Sequence, residues 1–116
     1  MPDKFGDKGR LLHINDAIES IEAYTNGIDF YGFSSDHMCF DACVRQLSII
    51  GEASNHLSKS LCERFNEVPW PEIIALRNLV VHEYFGVDTL VIWKIIRENI
   101  PELKRQVLVM IGEVED

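Results

Sequence analysis

Four residues in one short stretch, RNLVVHEY (77–84), have the chemistry to act on an anionic substrate. Arg77 carries a permanent cation whose guanidinium can fork two hydrogen bonds to phosphate or carboxylate oxygens. His82 brings an imidazole that titrates close to neutral pH and so can move a proton under cellular conditions. Asn78 precedes His82 by four positions, and Tyr84 adds a phenol. On a helical wheel advancing about 100° per residue, Tyr84 falls about 20° from Arg77, while Asn78 and His82 fall at about 100° and about 140°. The four therefore make two neighbouring pairs, Arg77 with Tyr84 and Asn78 with His82. Ile73, Ile74, Leu76, Val80 and Val81 stand around and between them. A surface helix shows one wide polar stripe. Here polar groups are squeezed between apolar ones, which predicts a helix covered on two sides, by its own bundle and by a second copy or a partner.

The same residues admit a purely structural role. Arg77 can pair with a core-edge carboxylate such as Glu52 or Asp41. His82 can be a satisfied imidazole at a helix C-terminus, where the dipole favours a cation. Tyr84 can be an aromatic at the edge of the bundle. A buried charge without a partner is costly, so either a network of this kind or a ligand must satisfy Arg77. The spacing alone leaves both open.

The elements that must hold these residues are helices. Leu11, Ile14, Ala17, Ile18, Ile21 and Tyr24 recur at intervals of three and four, and Asn26-Gly27 stops that helix. In the loop that follows, Phe30, Tyr31 and Phe33 are expected to cover an end of the bundle. Ser34 or Ser35 can cap a second, longest helix, with Asp36 in its first turn, running to about Lys59. Gly51 lies in the middle of that helix, where glycine costs about 1 kcal/mol against alanine. Close approach of another helix, within the fold or across a dimer, explains it best. Pro71 suits the first turn of a third helix running to roughly Tyr84, ended by Gly86. Asp88 caps a fourth, Asn99-Ile100-Pro101 breaks it, and Pro101 opens a short fifth segment. No strand signal, repeat or low-complexity tract is visible. The expectation is one all-α domain over 1–116, a four-helix bundle with a short fifth helical segment.

Composition bounds the rest. At 47% hydrophobic and 26% charged residues the chain is a folded domain, not a disordered one. No apolar run is long enough to span a membrane. The start, MPDKFGDKGR, lacks the apolar centre of a secretory signal, so a cytoplasmic protein is expected. Cys39, Cys43 and Cys62 lack the short-spaced ligands of a zinc site and read as buried or half-buried thiols. No metal or other cofactor is called for. A net charge of −8 argues against a general nucleic-acid binder. A local basic groove drawn from Arg45, Lys59, Arg64 and Arg77 would answer that objection.

RNLVVHEY resembles the R-x-x-x-x-H-x-Y motif of the HepT-like toxins, a branch of the HEPN superfamily. The likeness extends well beyond the motif. CVRQLSIIGEASNHL (43–57) resembles that family's long helix, and VPWPEIIALRN (68–78) resembles its approach to the motif. YFGVDTLVIWKIIRENIPELKRQV (84–107) resembles the segment that follows, and the resemblance covers roughly residues 8 to 112. It implies a HEPN-type helical bundle that forms a homodimer, with two motifs facing each other across a groove, acting as a metal-independent endoribonuclease. In that setting Arg77 and His82 are the catalytic pair, and Asn78 and Tyr84 support them. The resemblance further implies a toxin–antitoxin pairing with an MNT-type nucleotidyltransferase, which transfers AMP onto Tyr84. Glu83 interrupts the basic character of the motif and is expected to face solvent or pair with Lys94 or Arg97. The competing expectation is a non-catalytic HEPN module that docks the nucleotidyltransferase.

Overall fold

The computed structural model describes residues 6–79 and 88–115. Among these residues every regular element is helical. The first helix, α1 (Asp7–Thr25), buries Leu11, Ile14, Ile18 and Ile21 along one face, as their spacing requires. Gly27 ends it with φ at +76°, a left-handed conformation open to glycine and costly to other residues. A one-turn helix follows, α2 (Phe30–Ser34), capped by Asp29, whose carboxylate accepts the Gly32 N–H at 2.9 Å.

The aromatic loop divides its work. Phe33 is fully buried, with ring centroids 5.8 Å from Phe40 and 5.0 Å from Trp93, while Tyr31 is exposed. Phe33 thus ties α2 to α3 (His37–Asn55) and to α6 (Thr89–Lys94). The cap of α3 is Asp36 itself, which accepts the Cys39 N–H at 3.0 Å, and not Ser34 or Ser35. Those serines close α2 instead, and Ser35 Oγ donates to the Tyr31 carbonyl at 2.8 Å. Asp36 carries the stronger acceptor, a full carboxylate at the positive end of the new helix.

The long helix stops at Asn55, short of the expected Lys59. Ser58 starts a separate helix, α4 (Lys59–Arg64), by accepting the Leu61 N–H at 3.2 Å. Asp7 of α1 fixes that turn, accepting from the Ser58 N–H at 2.8 Å and from its hydroxyl at 2.6 Å. Pro69 and Pro71 then bracket the entry to α5 (Trp70–Ala75), where the indole N–H of buried Trp70 donates to the Phe65 carbonyl at 3.1 Å.

The last arm is continuous where a break was expected. Asp88 caps α6 by accepting the Leu90 N–H at 2.9 Å. The chain widens into a π turn at Ile95–Asn99 and passes directly into α7 (Ile100–Glu113). Pro101 has no N–H to donate and its ring would crowd the carbonyl four residues earlier. A single widened turn ahead of it relieves both problems without ending the helix. The core lies chiefly between α1 and α3, with α5 against α3 and α7 against α1. No helix of the described residues is long and apolar enough to cross a membrane.

Candidate functional site

Arg77 and Asn78 sit at the end of α5, where the helix tightens into a 3-10 turn over Leu76–Asn78. Both side chains are exposed. His82 and Tyr84, with Glu83, lie outside the described residues. The third helix expected from Pro71 to Tyr84 is α-helical over Trp70–Ala75, tightens into the 3-10 turn, and is α-helical again at Leu79, the last described residue before 88. The wheel drawn at about 100° per residue does not hold across a turn that advances about 120°.

Two residues of α3 set the position of that turn. Gly51 is the first. A Cβ there would overlap the backbone nitrogen of Arg77 and lie 3.0 Å from the carbonyl oxygens of Ile73 and Ile74. The close approach inferred from a mid-helix glycine is real, it occurs within the fold, and it falls on the arginine of the motif. Ser48 is the second. Its hydroxyl lies 3.3 Å from the Leu76 carbonyl and 3.4 Å from the Arg77 carbonyl, and donates to that pair of acceptors. It thereby ties α3 to the carbonyls of the tightened turn, where the Leu76 carbonyl also accepts the Leu79 N–H.

The groove between these elements has a volume of about 280 Å³ and is lined by Arg45, Ser48, Ile49, Glu52 and Arg77. The four α3 residues stand at i, i+3, i+4 and i+7, one stripe of the helix. Sequence reading named Arg45 without being able to place it, and missed Ser48 and Ile49. The signal available was the same spacing, read on the side of α3 that Gly51 opens.

The structural role considered for Arg77 does not hold among the described residues. Neither Glu52 nor Asp41 is in ion-pair distance of it; Glu52 instead has its carboxylate 3.0 Å from Nε2 of His56, the residue that caps the C-terminus of α3. Arg64, expected as a possible wall of a basic groove, is far from this site in function: it pairs with Glu113 at 2.6 Å.

The three thiols are buried or half-buried, as expected. Burial pushes Cys43 from 9.0 up to about 12, helped by the neighbouring Cys39 thiol, and also raises Cys39 and Cys62. None is poised as a nucleophile. The described residues contain no cluster of three or more His, Cys, Asp or Glu able to hold a metal ion.

A family model described as ribonuclease HepT-like matches residues 14–110. The chain belongs to the HepT-like ribonuclease family. The match takes in both sides of the groove, the α3 stripe and the turn bearing Arg77. Among HepT-like relatives, a Methanocaldococcus jannaschii protein described provisionally as an RNase is 41% identical over 100 residues, covering 86% of this chain and 92% of its own. A Caldanaerobacter subterraneus subsp. tengcongensis protein, also described provisionally as an RNase, is 43% identical over 97 residues, covering 84% of this chain and 87% of its own. A Thermococcus cleftensis protein named as a probable ribonuclease HepT is 42% identical over 101 residues, covering 87% and 92%. No solved structure matches the chain significantly.

Proposed function

We propose that this HepT-like chain is the toxin of a toxin–antitoxin pair, a metal-independent endoribonuclease that works as a homodimer through Arg77 and His82. The observation that carries the reading is the state of Arg77. Its backbone is clamped by Gly51 and Ser48, and its side chain is exposed at a groove with no carboxylate paired to it among the described residues. A cation held in this way is prepared for an external anion.

RNA supplies the remaining chemistry. Its 2′-hydroxyl is the nucleophile, so the protein needs only to move protons and stabilise the crowded phosphorus. His82 accepts the 2′-hydroxyl proton as the 2′-oxygen bonds to phosphorus. Arg77 forks two hydrogen bonds to the non-bridging oxygens as their charge grows. The bond to the 5′-oxygen breaks, that oxygen takes up a proton, and the products are a 2′,3′-cyclic phosphate and a 5′-hydroxyl. Asn78 orients the imidazole or the ribose.

Silencing falls to an MNT-type nucleotidyltransferase that transfers AMP to the Tyr84 hydroxyl. The adduct places bulk and negative charge at the motif, opposing RNA by occupancy and by electrostatics. The net charge of −8 favours a second reading, a non-catalytic module that docks the nucleotidyltransferase.

Expression of the chain alone, beside its His82→Ala variant, decides between them. The ribonuclease reading expects growth arrest and new RNA ends bearing 2′,3′-cyclic phosphate, both lost in the variant. Identical behaviour of the two proteins leaves the docking module. Co-expression with the cognate nucleotidyltransferase should add AMP mass units to the intact chain, and Tyr84→Phe should abolish the gain; a gain that survives the substitution refutes modification at Tyr84.

A further inference from the structure

We propose that Arg45 is a second phosphate-binding residue of the Arg77 groove, holding the RNA phosphate next to the one that Arg77 engages. The proposal rests on the ribonuclease reading above and adds a substrate-positioning residue on another helix. Arg45 and Arg77 line one open groove of about 280 Å³. Both are exposed, and neither takes a carboxylate among the described residues.

Several other cations of the molecule are already engaged. Arg64 pairs with Glu113 at 2.6 Å and Lys104 with Glu22 at 2.8 Å. Arg105 pairs with Glu102 on its own helix. Arg97 lies over the Trp93 ring, 5.3 Å from its centroid. The two groove arginines therefore concentrate positive charge locally on a chain whose net charge is −8.

Their separation is fixed by backbone, not by flexible side chains alone. Ser48, one turn from Arg45 on α3, donates to the carbonyls of Leu76 and Arg77, and Gly51 seats α3 on the Arg77 nitrogen. A polyanion with repeated phosphates is the ligand that two arginines fixed side by side along a groove would recognise. Glu52 lines the same groove but stands seven residues from Arg45, about 10 Å along α3, and is hydrogen-bonded to His56. The phosphate held by Arg45 therefore lies at the end of the groove away from that carboxylate.

The test is binding of a fluorescent 2′-O-methyl oligoribonucleotide of about ten residues, which lacks the nucleophile and is not cut, across a salt series. Arg45→Gln should raise Kd about tenfold at low salt and make the slope of log K against log salt shallower by about 0.7, one single-strand phosphate. Arg45→Lys should restore the slope and most of the affinity, because a point charge suffices for a phosphate. In cleavage of unmodified RNA, Arg45→Gln should raise KM about tenfold with kcat changed far less. An unchanged Kd and slope overturn the proposal, and so does weaker binding with the wild-type slope, the mark of a structural role. Absence of RNA cleavage by the wild-type chain would count against the ribonuclease reading alone, since the oligonucleotide assay scores Arg45 independently.

Discussion

An exposed cation and a buried thiol show how one residue's surroundings decide what it does here. Arg77 is solvent-facing and unpaired among the described residues, so its guanidinium contributes little to stability. Arg77→Ala should shift the urea midpoint by less than about 0.5 kcal/mol equivalent. If it faces the charge that develops on phosphorus, the same variant should lower kcat/KM for RNA by about 10²–10³. A loss of activity matched by a comparable loss of stability would assign Arg77 to the fold. Cys43 is the opposite case. Burial raises its thiol from 9.0 to about 12, so the native fold keeps a proton that the unfolded chain releases. Its contribution to stability is full below pH 9 and is lost as pH rises toward about 12. Urea midpoints at pH 8 and pH 10.5 should therefore fall more steeply for the wild type than for Cys43→Ala, and parallel declines would contradict the assignment.

At the scale of elements, the contact between α3 and the end of α5 places Arg77. Gly51→Ala forces a methyl group onto the Arg77 nitrogen and toward two carbonyl oxygens, with backbone on all sides and nothing flexible to yield. Overpacking of this kind costs about 1–3 kcal/mol, read as a lower urea midpoint, and RNA cleavage should drop beyond what unfolding explains because the turn carrying Arg77 must move. Ser48→Ala, which removes one hydroxyl from the same turn, should cost about 1 kcal/mol. That contact was partly legible in the sequence. A glycine inside a helical pattern signals close approach, and Gly51 does so here; Gly27 and Asp88 likewise end and begin helices where their residue types indicate. What was not legible depends on partners distant in sequence or on competition between neighbours. The separate helix α4 owes its start to Asp7, fifty-one positions away. The cap at Asp36 emerged from three adjacent residues that could all have served. The continuity through Pro101 depends on a π turn that no periodicity announces. The groove stripe of Arg45, Ser48, Ile49 and Glu52 has a visible period, but only the packing of α5 shows which face of α3 it serves.

For the molecule as a whole, the proposed cleavage asks for more groups than the described walls of the groove present. Arg77 opens onto a groove whose described walls come from α3 and the turn at 76–78, and the one carboxyl group on those walls, Glu52, is hydrogen-bonded to His56. In the homodimer proposed above, facing motifs would supply a group to protonate the leaving oxygen and would set the arginines of two chains along one track of phosphates. Under this arrangement the active species is the dimer, and sedimentation should give twice the chain mass of 13.3 kDa at working concentration. Dilution then separates assembly from chemistry. Above the dimer dissociation constant the RNA cleavage rate should rise linearly with chain concentration. Below it, the rate should fall as the square, because dimer concentration does so by mass action. A rate that stays first-order through the range in which the sedimenting mass halves would mean that a single bundle cuts RNA unaided, and the seam would then lose its catalytic role.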